Sequence, residues 1–364
     1  MKYAYPHLAR RCFWIGLLFL LVQSGVQPLK AQTTSEWQWK DRVFSLEIQR
    51  SHEDILSLAD SLLTANDPTS LADGQYLKGR ALYHLDRNDD ALQFVTSALE
   101  SYEQLEDQAG IARALTAKGS MLRKAGKYPE AIVDLTKAES LWVALDQDTE
   151  LGITQNERGV VHDYLSEYET ALSFYESALK HLNKNRDKFW FANVINNIGI
   201  LYDLQGQYDK AFDYYQQGLA LREELNDQQG IAASLNNLGI VSRIQGKHDE
   251  ALVYYQRALA IREEIGHLTD IATSLNNIGV LLDHLGRYDA ALDYHHRSLA
   301  IKEELNNQRG VASSLFNIGN INFKHPESFG YLKKLCIYLL QDKFEYQEIA
   351  SIGFLTQIFP AVVN

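Results

Sequence analysis

Cysteine, proline, long apolar runs and positive charge are all scarce in this chain, and each shortage excludes something. Two cysteines in 364 residues, Cys12 and Cys336, provide no internal disulfide framework. Six prolines and 22 glycines are too few for a collagenous or low-complexity chain. The apolar run from Cys12 to Val22 has 11 residues, and a helix needs about 20 to cross a bilayer. Lysine and arginine number 35 against 47 acids, a net charge of −12. No basic stripe interrupts that balance, so neither nucleic acid nor an acidic lipid surface is an expected partner. Motifs that carry chemistry are missing too. No nucleophile elbow, phosphate loop or zinc-protease helix occurs. His284, His295 and His296 come closest to a metal cluster, but His295 stands where neighbouring blocks have Tyr215 and Tyr255, which reads as packing. The expectation is a non-enzymatic protein with no cofactor and no metal.

The first 31 residues hold Lys2, Arg10, Arg11 and Lys30 and no acid. A basic start, an apolar run and a polar stretch ending at Ala31 have the order of a secretory signal peptide. Cleavage after Ala31 predicts export to the periplasm or cell surface, with an uncleaved membrane anchor as the alternative. Cys12 stands at the start of the apolar run and not after it, so it is no lipid-attachment site. Export leaves 31 basic against 47 acidic residues, a balance of −16.

What the chain has in abundance is repetition. From residue 71 to 310 it divides into six blocks of forty without insertion, and blocks 231–270 and 271–310 share 18 of 40 residues. Glycine holds the ninth place (Gly79, Gly119, Gly159, Gly199, Gly239, Gly279) and alanine the twenty-first (Ala91, Ala131, Ala171, Ala211, Ala251, Ala291). The twenty-eighth place is small throughout. Each block reads as two helices with apolar faces at helical spacing. In 271–310 the first stops at Gly286, a left-handed cap, and the second starts with Asp289 as N-cap. A mid-helix glycine costs about 1 kcal/mol relative to alanine, so its recurrence marks a place where the partner helix comes close.

Leu/Ile-Gly, then Gly-x-Tyr-x-x-Ala and a later small residue resemble the tetratricopeptide signature. The forty-residue spacing is similar to that in kinesin light chains and the Leu-Gly-Asn-repeat polarity adaptors. The resemblance covers 71–323 and implies an all-α fold, a right-handed superhelical α-solenoid of helix–turn–helix repeats. Residues 32–70 are expected to cap the array with a half repeat, its helix at 53–63. After a seventh first helix, residues 324–364 are either a degenerate cap or the remnant of a longer protein. Lys78, Lys118 and Arg158 stand where later blocks have Ile198, Leu238 and Ile278, which predicts looser packing or a tilt of the early repeats. Arg222, Arg262 and Lys302, in runs such as Arg262-Glu-Glu-Ile265, read as part of a solvated outer face.

In the resembled family the first helices line a concave groove through places three, six, ten and thirteen. Here those places give an amide ladder, Asn156, Asn196, Asn236 and Asn276, with Asn193 beside it. Next comes an apolar strip, Val160, Ile200, Ile240 and Val280, and then an edge of Asp163, Asp203, Arg243 and Asp283. An amide donates and accepts at once, which suits an extended peptide backbone, and the acids favour basic side chains. The second asparagine of each pair (Asn197, Asn237, Asn277, Asn317) lies about 100° further round and is expected to bond across the junction between repeats. The leading expectation is a scaffold that binds a protein or peptide segment. The alternative is the sensory input module of a histidine kinase or transcriptional regulator, and self-association is a third possibility.

Overall fold

A computed structural model describes residues 52–323. The expected signal peptide 1–31, the rest of the N-terminal cap and the tail 324–364 lie outside those residues. The described chain is helical throughout and has no strand. Helix α1 (His52–Leu63) precedes six pairs: α2 (Pro68–His84) with α3 (Asn88–Gln104), α4 (Gln108–Lys124) with α5 (Tyr128–Ala144), and α6 (Asp148–Tyr164) with α7 (Tyr168–His181). Then follow α8 (Lys188–Leu204) with α9 (Tyr208–Glu224), α10 (Gln228–Ile244) with α11 (His248–Ile265), and α12 (Leu268–His284) with α13 (Tyr288–Glu304). Helix α14 (Gln308–Phe323) is the seventh first helix. Each helix packs on its partner and on the next pair, as an α-solenoid requires, and α1 packs on α2.

The chain starts and stops these helices by a few recurring devices. Several first helices are capped by a carboxylate or amide: Asp67 accepts from the Ser70 N–H at 2.8 Å, Asp107 and Asp227 from Gly110 and Gly230 at 3.0 Å, and Asn307 from Gly310 at 2.9 Å. The second helix of block 271–310 begins two residues earlier than expected. Tyr288 opens α13, its N-cap Arg287 makes no side-chain bond, and Asp289 lies inside the first turn. There its charge meets the positive end of the helix dipole. Within every repeat a left-handed residue ends the first helix: Asp86, Gly126, Ser166, Gly206, Gly246 and Gly286. The connection after α7 departs from the rule, because α7 ends three residues short of the usual 17. Asp187 ties that loop, accepting from the Asn183 N–H at 2.9 Å and from Arg186.

Repeat glycines have the close contact their periodicity predicted. A Cβ on Gly239 would lie 2.5 Å from the Tyr255 ring, and one on Gly199 2.7 Å from Tyr215. The alanines at place twenty-one are fully buried beside them. Lys78, Lys118 and Arg158 are accommodated by charge pairing, with Asp60 at 2.7 Å, Asp134 at 3.0 Å and Glu139 at 2.5 Å. The early repeats thus replace an apolar contact with an ion pair. His295 is 1% exposed and stacks over Gly279. Burial, with Lys302 nearby, lowers its pKa to about 4. It is a tyrosine substitute, and no group of three or more potential metal ligands occurs among the described residues.

Candidate functional site

The two asparagines of each repeat form one interlocked ladder along the first helices. Asn197 Nδ2 donates to Asn156 Oδ1 at 2.9 Å, Asn237 to Asn196 at 3.2 Å, Asn277 to Asn236 at 2.8 Å and Asn317 to Asn276 at 3.0 Å. Every bond joins place seven of one repeat to place six of the repeat before it. The junction role expected for the second asparagine is therefore what the geometry gives. Its partner is the very residue expected to lie free in the groove. Asn156 and Asn236 are only 7% and 8% exposed, and Asn196 and Asn276 are half-buried. The place-six carbonyl is committed to the fold, while its amide nitrogen and the place-seven carbonyl make no further bond to the described residues. Neither atom is a buried orphan, so both reach the surface.

Around the ladder the other expected site residues keep their order along each first helix. Val160, Ile200, Ile240 and Val280 are half-buried, as are Asp163, Asp203, Arg243 and Asp283. Burial raises the pKa of Asp163 and of Asp203, the latter opposed by Arg243 nearby. Asn193 is engaged, accepting from Arg222 Nη2 at 3.1 Å.

Arg222, Arg262 and Lys302 contradict the expected solvated face, being 5%, 8% and 9% exposed. Their acidic neighbours, such as Glu223, Glu263 and Glu303, do face solvent. Each cation reaches from the end of a second helix to a serine on the next first helix: Arg222 to Ser234 at 2.6 Å, Arg262 to Ser274 at 2.7 Å and Lys302 to Ser314 at 2.9 Å. Arg222 and Arg262 also donate to the carbonyls of Gly230 and Asp270, at 3.3 and 3.2 Å. The signal was present in the repeat register. The same place holds Tyr102, Trp142 and Leu182 in the earlier repeats, all buried, and an apolar equivalent marks an interior position.

In the N-terminal half the corresponding surface is closed by its own side chains. Glu157 takes place seven and accepts from Ser120 at 2.6 Å, with Arg123 at 3.6 Å. Arg123 donates to Tyr83 at 3.2 Å, and Lys124 lies over the Tyr83 ring at 4.8 Å. The open amide ladder begins with α6 and continues to α14.

The family model for the tetratricopeptide repeat matches residues 110–184, 150–224, 190–264, 230–304 and 270–325. No curated protein is detectably similar in sequence. Among solved structures, the apo form of RapI aligns with a TM-score of 0.61 at 17% identity, covering 89% of this chain and 90% of that one. A Rap protein complexed with competence and sporulation factor gives 0.56 at 19% identity, over 80% and 88%. BtubC from P. vanneervenii gives 0.53 at 21% identity, over 59% and 91%. Identities this low establish the shared fold alone. Five overlapping matches to the family model span more than half of the sequence, and the chain belongs to the tetratricopeptide-repeat family.

Proposed function

We propose that the first helices α6 to α14 bind an extended protein segment whose backbone lies along the asparagine ladder. One observation carries this reading: each interlocked pair leaves one amide donor and one amide acceptor at the surface. A peptide backbone offers the complementary alternation of C=O and N–H. Each added bond contributes roughly 0.5–1.5 kcal/mol net, so several rungs together give useful affinity where one does not. The protein is a scaffold in this reading, and catalysis has no part in it. Replacing Asn197, Asn237 and Asn277 together with alanine is expected to abolish capture of peptides selected on the native protein, with helicity by circular dichroism retained. Undiminished capture by the folded variant would rule the proposal out.

A second reading places the same groove in the input half of a signalling protein. It is favoured by the fold shared with a signal-transduction ATPase described as carrying a tetratricopeptide sensor, from Pyrococcus horikoshii (TM-score 0.59, 13% identity, over 86% and 54%). A kinase or DNA-binding reading frame continuing from the coding region supports it, and a separate transcription unit there argues against it. Export belongs to the proposal as well. Cell fractionation, with an N-terminal sequence beginning after Ala31, is the expected result; full-length protein in the cytosol overturns it.

A further inference from the structure

Place fourteen, in the last turn of each first helix, is apolar in three consecutive repeats. There Tyr164, Leu204 and Ile244 are 60%, 58% and 40% exposed, while the repeats on either side carry Lys124 and His284. Exposed apolar residues scattered singly are ordinary. Three in one register, on helices α6, α8 and α10 that the ladder bonds side by side, form a continuous patch. Each stands one turn beyond a half-buried residue of place ten, Val160, Ile200 or Ile240, and residues four apart share a helix face. The apolar strip beside the ladder therefore widens into a shelf on these three helices. Place thirteen borders it with charge. Asp163 and Asp203 are half-buried and make no hydrogen bond or ion pair with the described residues, and burial raises the pKa of both. Arg243 acts on Asp203 and is also bonded to Tyr255, whereas no cation offsets Asp163. One turn before place ten, Asn156 and Asn236 are more than nine-tenths buried. Each accepts a bond through Oδ1, and its Nδ2 makes none to the described residues.

We infer that this shelf is the specificity site of the groove, and that it takes the hydrophobic side chains of an extended protein segment that also carries lysine or arginine among them. The inference rests on the ladder as the track for that segment's backbone and deepens it. Place ten lies four residues beyond the place-six asparagine, about 6 Å at 1.5 Å per residue, and place fourteen about 12 Å. Large apolar side chains directed from the ladder toward the C-terminal ends of the helices meet place ten first and place fourteen last. Their burial there removes water from apolar surface on both partners. A lysine or arginine lays its aliphatic stem on the strip and brings its charge to Asp163 or Asp203. Both acids stand on helices of the shelf itself, α6 and α8, so cationic side chains belong at that end. At α10 place thirteen is Arg243, and hydrophobic side chains alone suit it. An acidic segment is disfavoured by two half-buried carboxylates of the same sign. Three helices packed side by side span about 16–20 Å between outer axes, which about six or seven extended residues cover.

The test is to pan a phage-displayed library of random 12-residue peptides against the full chain and synthesise the best binder for titration. Enriched peptides are expected to hold several large hydrophobic residues and at least one Lys or Arg within a window of about seven. Affinity should fall at least about tenfold for a Leu204→Ser/Ile244→Ser variant. Both residues are exposed and end their helices, so the variant is expected to fold, which circular dichroism checks. For Asp163→Asn/Asp203→Asn the loss should be about three- to tenfold. That variant should also stop preferring the binder over a copy whose basic residues are replaced by glutamine, a readout that a merely structural role would not move. Enrichment for acidic or wholly polar peptides, or an affinity unchanged in the folded serine variant, overturns the inference. So does an aspartate-to-asparagine variant that still separates the two peptides as the native protein does. Peptides that need Asn197, Asn237 and Asn277 but not the shelf sink this inference and leave the groove reading standing. Peptides indifferent to those asparagines, or no enrichment at all, remove both.

Discussion

Gly239 and Gly218 are both mid-helix glycines, and the space around them predicts opposite responses to alanine. A Cβ on Gly239 would lie 2.5 Å from a ring carbon of fully buried Tyr255. Gly239→Ala is expected to destabilise the array by about 1–3 kcal/mol through overpacking. On Gly218 the nearest atoms would be 3.7 and 3.8 Å away, an ordinary contact. Most other repeats already have alanine there. Gly218→Ala should therefore stabilise by roughly 0.5–1 kcal/mol, and urea titration of the two variants checks both signs. His295 makes a pH prediction. Its pKa is lowered from 6.5 to about 4 by burial, with Lys302 and His296 lowering it further and Asp283 opposing. Between those values the unfolded chain binds the proton and the folded chain does not. The neutral-histidine stabilisation is thus present above about pH 6.5 and lost as pH falls toward 4, roughly 2–3 kcal/mol in all. His295→Tyr, restoring the residue found in three other repeats, should flatten that part of the stability profile while other acid-sensitive groups keep their slope.

The ladder makes its prediction at the level of helices. Asn277 on α12 and Asn236 on α10 exchange one hydrogen bond across a repeat junction. Either alanine substitution is expected to cost about 0.5–1.5 kcal/mol. The double variant should cost less than the sum of the two, with a coupling of about 0.5–1 kcal/mol. Additive losses would mean that the bond contributes nothing across the junction. The sequence showed that two asparagines recur, and the 100° between neighbours on a helix separated them into different directions. It did not show that place seven of one repeat would meet place six of the one before, because that depends on how far consecutive first helices are offset. Arg262 illustrates the same limit. A charged residue beside two glutamates reads as surface, and the helix pattern places it correctly only when Trp142 and Tyr102 at the same register are taken into account.

For the whole array, stability should be close to a sum over repeats and their junctions. Joining residue 230 directly to residue 271 deletes one forty-residue block and keeps the register. Asn277 then takes the place of Asn237 beside Asn196, and the first-helix seam is restored. That shortened protein is expected to remain fully helical with a lower denaturant midpoint; loss of cooperative folding would contradict nearest-neighbour architecture.

Local chemistry settled a good deal without any coordinates. The forty-residue period, the glycine against the partner helix, the turn residues and the all-α class follow from sterics and helical periodicity within one repeat. The excess of acidic over basic residues is equally legible in composition. Tertiary stacking decided the rest: which amide atoms are used up, which cations are interior, and where the open part of the ladder begins. Those outcomes depend on contacts between residues 12 to 41 positions apart. Such contacts arise from the offset between neighbouring helices, and an amino-acid pattern within one helix carries no record of it.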